Sequence, residues 1–300
     1  IIIFIITFIK NSDLNITLGN TDIVDVYAAQ DGEAIIHAGG ITFSDGTTQT
    51  TASVGGDDNA VSNLSGLSDV EISVGDSTFY LGNIPPNSTG PNNMAFGISS
   101  LNLNTTGYEN VAVGKDALKS NTEGYENTAV GSNSLMSNTT GANNVAIGER
   151  ALENNTTGSR NTAVGVVALK NNLTGFNNVA LGNGTLYYNT EGFFNTALGY
   201  RSLGGNTTGD ENTAVGEKAM LSNTIGESNT AVGVKTLYSN TEGNNNTAIG
   251  IYSLYANTTG SENVAVGKNV LSANTEGEYN VGVGSYALNQ NITGDNNAAL

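Results

Sequence analysis

Residues 105–121 read TTGYENVAVGKDALKSN, and residues 122–138 read TEGYENTAVGSNSLMSN. The two lines share one template, and it recurs every 17 residues from residue 88 to residue 300 without insertion or deletion. That span holds twelve full copies and nine residues of a thirteenth. Taking Ser88 as slot 1 of the first copy, each slot can be compared across copies. Slot 3 is always Gly and slot 6 always Asn (Asn110, Asn127, Asn144, Asn161). Slot 10 is Gly in every full copy (Gly114, Gly131), and slot 17 is Asn (Asn121, Asn138). Slot 8 is Ala except for Gly282, slot 9 is Val, Ile, Leu or Phe, and slot 14 is Leu (Leu118, Leu135) except for Met220. Slot 7 is mostly Val or Thr and slot 13 is small, whereas slots 4, 5, 11, 12, 15 and 16 vary freely.

A fixed period of this length is the mark of a repeat architecture. Two Gly, two Asn and a Thr-Gly turn in every copy make a helix untenable, and strict register excludes a flexible linker. Slots 6–10 predict a short β-strand, with slots 7 and 9 on one face and Ala on the other. An Ala-only slot predicts close packing of that second face too, against another strand or another chain. Leu in slot 14 predicts a second strand. The Gly slots predict turns with φ > 0 or close backbone approach. Asn tolerates the left-handed region, and in register it predicts stacked amide ladders. The fold class is therefore all-β: a parallel β-solenoid or β-roll with one 17-residue repeat per coil. Twelve and a half coils at ~4.8 Å each would make a rod of about 60 Å. Each coil offers about two large apolar side chains, which is a thin core. Association of chains through the Ala and Val/Thr face is the expected remedy, with a homotrimer preferred.

Composition narrows the chemistry. The 300 residues include 39 Gly, no Cys and one His, with a net charge of -17. Without Cys there are no disulfides, thiolate nucleophiles or Cys-based zinc sites. His37 alone cannot build a multi-His metal centre. The acidic balance opposes nucleic acid and anionic membrane surfaces. No acidic residue keeps a fixed slot, unlike the recurring Asp of calcium-binding β-rolls. Asp57-Asp58 and Asp210-Glu211 read as solvated surface. The sequence thus predicts no catalytic residue, no metal site and no cofactor.

The chain reads as three regions: 1–52, a strand-rich attachment or assembly region; 53–87, a Gly/Asp/Asn/Ser-rich linker and transition; and 88–300, the repeats. The first 87 residues carry -10 of the net charge. Residues 1–9, IIIFIITFI, are too few to span a membrane as a helix and predict a buried strand. Residues 14–18 and 23–27 also read as strands, and Asp45-Gly46 predicts a hairpin turn between 41–43 and 47–50. Because the chain starts on Ile and stops mid-repeat, it is expected to be a segment of a longer protein.

The variable slots hold the aromatics. Phe176, Tyr187, Tyr188, Phe193, Phe194 and Tyr200 fall in adjacent coils and are the candidate surface contacts. Exposed aromatic rings enrich binding surfaces.

The core N-[TV]-A-[VIL]-G-x-x-[AST]-L, as in residues 127–135, resembles the N-S-V-A-I-G units of YadA-like trimeric autotransporter adhesin heads, whose own unit is shorter. Those heads are left-handed parallel β-rolls assembled as trimers. The longer form N-T-x-G-x-x-N-T-A-V-G-x-x-A-L is similar to repeats in bacteriophage tail fibres. Residues 40–52, GITFSDGTTQTTA, resemble a segment common in phage fibres before such regions. The resemblance implies an extracellular virion fibre: a homotrimeric shaft, joined through its N-terminus to tail or baseplate proteins, presenting an end that binds a host polysaccharide or protein receptor. No contact with nucleic acid and no membrane insertion are implied. The alternative is a bacterial surface adhesin head; an ice-binding solenoid and a glycan depolymerase are weaker rivals.

Overall fold

The computed structural model of the chain describes residues 41–42, 48–49, 70–73, 78–81 and 88–300, with the backbone alone at 41–42, 48–49 and 70–73. Residues 1–9, the strands expected at 14–18 and 23–27, His37, the Asp45-Gly46 turn and Asp57-Asp58 lie outside these described residues. The chain divides into two compact units, Ile1–Ser68 and Asp69–Leu300. In the first, β1 (Ile41–Thr42) pairs antiparallel with β2 (Thr48–Gln49).

The second unit is a β-solenoid built on one 15-stranded sheet. In the stretch read as transition before the repeats, β3 (Val70–Ser73) pairs antiparallel with β4 (Thr78–Leu81) as a hairpin pair. β4 then pairs parallel with β5 (Met94–Phe96), the first repeat strand, and β5 with β6 (Val111–Val113). Each later strand pairs parallel with the one 17 residues on, as far as Ala298–Ala299, Ala against Ala except where Gly282 stands between Ala265 and Ala299. In the hairpin, Tyr80 stands opposite Ala95 and is 3% exposed. A ring where every repeat has Ala or Gly plugs the end of the core, and the antiparallel strand covers an edge that would otherwise template pairing.

The strand is short because slots 7–9 alone are extended; the rest of each coil turns. The second strand expected at slot 14 is absent. Leu118 and Leu135 instead sit in turns with φ of 48°, and the whole column lies between 48° and 51°. Axial hydrogen bonds continue without extended backbone: the N–H of Leu118 donates to Ser134 O at 3.0 Å and that of Ser120 to Met136 O at 3.0 Å. A left-handed Leu costs roughly 1–2 kcal/mol, and burial of its side chain contributes about 1.5–3 kcal/mol, so burial wins. All eleven members of this column from Leu101 to Leu271 are fully buried.

The inside of the coil therefore holds Leu of slot 14, Ala of slot 8, the small residue of slot 13 and the two Asn. This corrects two expectations. The Ala face is closed against the coil's own turns, so no second chain can reach it. Slot 9 faces outward and leaves one large apolar side chain per coil inside rather than two. The solenoid holds because its interior is polar and fully bonded as well as apolar. A local exception shows how tight the fit is. Gly282 replaces Ala in slot 8, one coil beyond Val270, the sole Val in slot 13. A Cβ on Gly282 would stand 2.6 Å from Val270 Cγ1.

The two Gly columns have different reasons. Slot 10 is left-handed (Gly131, φ 134°), and a Cβ there would meet Gly148 O at 2.6 Å. Slot 3 has no positive φ; it is Gly for space. At Gly226 a Cβ would meet Asn223 Oδ1 at 2.5 Å, Gly243 O at 2.6 Å and Asn240 Nδ2 at 2.8 Å. Nor are the slot 6 and 17 Asn left-handed. Apart from slot 14, the left-handed non-Gly residues occupy slots 5 and 12, which the sequence leaves variable.

Candidate functional site

Two features of the solenoid could carry function: the amide ladders inside and the surfaces that the coil turns outward. Asn127 represents slot 6. Its Nδ2 donates to Asn110 Oδ1 at 3.1 Å and to Gly141 O at 2.9 Å. Its Oδ1 accepts the backbone N–H of Asn144 at 3.0 Å and Asn144 Nδ2 at 3.1 Å. A side-chain amide offers two donors and two acceptor lone pairs, and all four are used. Asn161 continues the column on Asn144 Oδ1 at 3.2 Å. Slot 17 runs a parallel ladder: Asn138 Nδ2 donates to Asn121 Oδ1 at 2.8 Å and to Gly141 O at 2.9 Å. The carbonyl of Gly141 thus accepts from Asn127 and Asn138 at once, tying the two ladders together at slot 3. Asn110, Asn121, Asn127, Asn138, Asn144 and Asn161 are all fully buried. Asp could accept but not donate, and an apolar residue would orphan its neighbours, which is why only Asn fills these slots.

Slot 1 is a third ladder that the sequence reading passed over. Thr139 Oγ1 donates to Thr156 O at 3.1 Å, and Thr207 Oγ1 to Thr224 O at 2.9 Å. The signal was present, since slot 1 is Thr in ten of thirteen copies. In slot 13, Ser134 Oγ donates to Gly131 O at 2.8 Å. Among the described residues, no buried side-chain nitrogen or oxygen lacks a partner.

Outside, the six candidate aromatics separate into three groups. Phe176 stacks on Phe193 at 4.9 Å, and Phe194 meets both edge-on at 5.7 and 5.6 Å. Tyr187 and Tyr188 form an edge pair at 4.7 Å, with Lys170 Nζ 5.7 Å from the Tyr187 ring. Tyr200 stands by itself with Lys218 Nζ at 5.6 Å. Stacking follows from the coil spacing: equivalent slots of adjacent coils hold rings at contact distance, as Tyr108 and Tyr125 also do at 4.9 Å. Beyond the Phe stack, Asp210 Oδ1 accepts the Phe193 N–H at 2.8 Å. Burial pushes the Asp210 carboxyl above its ordinary range; the Phe193 N–H opposes this, and the charges of Glu227 and Glu211 add to it.

The strands turn slots 7 and 9 outward, half-buried or exposed, on either side of a buried Ala. The ion pairs, such as Lys119 with Asp116 at 3.0 Å and Lys170 with Glu153 at 3.3 Å, lie on the turn segments. Asp116 is buried and Glu153 and Lys170 are half-buried, so these pairs sit against the turn backbone rather than free in solvent. Among the described residues, no three His, Cys, Asp or Glu side chains are grouped to hold a metal ion. No helix among them is long and apolar enough to cross a membrane.

No protein-family model and no curated protein matches the chain.

Proposed function

We propose that this chain is the shaft of a bacteriophage tail fibre, a non-enzymatic homotrimer that presents a receptor-binding end to the host surface. The observation that carries the reading is the unbroken axial bonding of the solenoid, from β4 to Ala298–Ala299 in one parallel series. Every coil bonds to the coils before and after it through backbone and amide ladders. Such a structure resists bending and extends by adding coils, which is what a spacer needs. The repeat and the 40–52 segment resemble those of phage fibres and supply the virion context. The Phe176 and Tyr187 clusters are the places where the shaft would touch host glycans, since aromatic faces pack on sugar rings.

Antibodies raised against the chain test this directly. Gold label along the tail fibres of a phage supports the proposal. Label confined to a bacterial outer surface would replace it with the adhesin reading.

A further inference from the structure

The charges of the repeats are sorted around the coil. Of their 16 acidic residues, 12 stand in slots 2, 4 and 5, before the strand, where Arg160 is the one basic residue. Of their 9 basic residues, the other 8 stand in slots 11, 12 and 15, after it. The solenoid therefore has an acidic corner and a basic one, although the chain as a whole carries -17. The core does not require this, since Leu, Ala and Asn fill the inside wherever the charges fall.

Tyrosine follows the basic corner. Seven of the ten Tyr in the repeats stand in slots 11, 12, 15 and 16, all between the sixth and twelfth copies. Tyr188, Tyr200 and Tyr286 are 55%, 48% and 51% exposed. Contacts join these slots into one surface. Lys235 Nζ lies 5.8 Å from the Tyr252 ring, Tyr252 meets Tyr255 edge-on at 5.5 Å, and Tyr255 stacks on Tyr238 at 5.2 Å. Lys268 Nζ lies 5.9 Å from the Tyr286 ring. These contacts, like those of Lys170 with Tyr187 and Lys218 with Tyr200, set a cation in one coil against a ring in an adjacent coil. Rings and cations are thus interleaved along the axis from the fifth to the twelfth copy, about 34 Å. Glu217, paired with Lys218 at 3.2 Å, is the one acid in these slots over that stretch.

The partner that fits is a chain offering anions and apolar ring faces at short intervals. Lys and Arg bind carboxylate or phosphate, and Tyr faces pack on sugar rings. A linear acidic polysaccharide provides both. The acidic corner of a second copy fits less well: in register, half of its 12 acids fall in copies with no basic residue after the strand, and unmatched charge opposes association. The Phe176 stack stands on the acidic corner, beside Asp210, whose Oδ1 accepts the Phe193 N–H at 2.8 Å, so an acidic polymer is repelled there.

We propose that the corner of slots 11, 12, 15 and 16, from Lys170 to Tyr286, binds a linear acidic polysaccharide along the solenoid axis, with its anionic groups on Lys and Arg and its sugar faces on Tyr. This rests on the reading of the chain as a host-facing shaft and names the class of glycan and the side that takes it.

Calorimetry of the full chain with polygalacturonate, and with neutral dextran as control, tests it. Binding to polygalacturonate that weakens as salt rises, and none to dextran, are expected. Lys218→Gln with Lys235→Gln should cost roughly tenfold in affinity, and Tyr238→Ala with Tyr255→Ala about as much. Tyr238→Phe with Tyr255→Phe keeps the rings and should bind as the parent does, and Phe176→Ala with Phe193→Ala should change nothing. No binding to polygalacturonate, or equal binding to dextran, overturns the proposal and leaves the shaft standing, because a shaft needs only its end to bind. Loss in the Phe pair alone moves the site to the acidic corner and overturns the proposal too. A fall in light-scattering mass in the Lys pair gives the basic corner to a second copy instead. A one-chain mass for the parent overturns the homotrimeric shaft, while the titration still decides the site.

Discussion

Asn144 donates to Asn127 Oδ1 and Gly158 O and accepts two hydrogens from Asn161. Asn144→Ala orphans the backbone N–H of Asn161 and removes one bond from several other groups. An orphaned buried donor costs about 1–3 kcal/mol, so a loss of roughly 2–4 kcal/mol is expected in urea unfolding. Asn144→Asp should be worse at neutral pH, because a carboxylate faces Asn127 Oδ1 and Gly158 O with nothing to donate. The sign of its pH dependence follows. The fold raises this carboxyl above its unfolded value, so the variant should gain stability as pH falls through the carboxylate range. A variant whose stability falls with pH there would refute the ladder's donor role. Val167 offers the opposite case. It is β-branched and left-handed at φ 54°, in a slot where Asn133 and Asn269 adopt the same conformation. Relief of such strain is worth about 1 kcal/mol, so Val167→Asn should raise the melting temperature. Gly282→Ala should destabilise by about 1–3 kcal/mol through overpacking against Val270. Adding Val270→Ala should recover most of that loss, because the two sites share one contact.

The element is the coil, and most of its outline is legible in 17 letters. Slots 7–9 read as a strand by alternation, and the register of the Asn columns reads as amide stacking. The reading went astray where side-chain identity no longer reports backbone conformation. Leu in slot 14 looks like strand material, yet burial holds it in a left-handed turn. Slots 5 and 12 look unconstrained because their side chains point outward, although their backbone is among the most restricted. The Ala column announced tight packing but not its partner, since a small slot looks the same against its own turns as against another chain. The six aromatics read as one patch because they are near in sequence, but a coil scatters neighbouring residues around its circumference. Coils interact with their nearest neighbours, so deleting residues 139–155, one whole repeat, should leave a folded solenoid shorter by one layer. Deleting sixteen of those residues should shift every later slot against its ladder and abolish cooperative unfolding. Circular dichroism and thermal melts of the two deletions separate these outcomes.

At the scale of the whole molecule, the chain sorts its chemistry by surface. Amides and Leu go inside, charges go to the turn segments, and a sheet face of slots 7 and 9 with no charged residue is left outward. Such a solenoid is thin by itself, and the proposed trimer supplies the cover that its outward face lacks. Electron cryo-microscopy of the full chain tests this arrangement most directly. The account predicts layers about 4.8 Å apart, successive layers being repeats 17 residues apart in one chain, and three solenoids about a common axis with slots 7 and 9 facing that axis. A single isolated solenoid, or three with those strands turned to solvent, would contradict it.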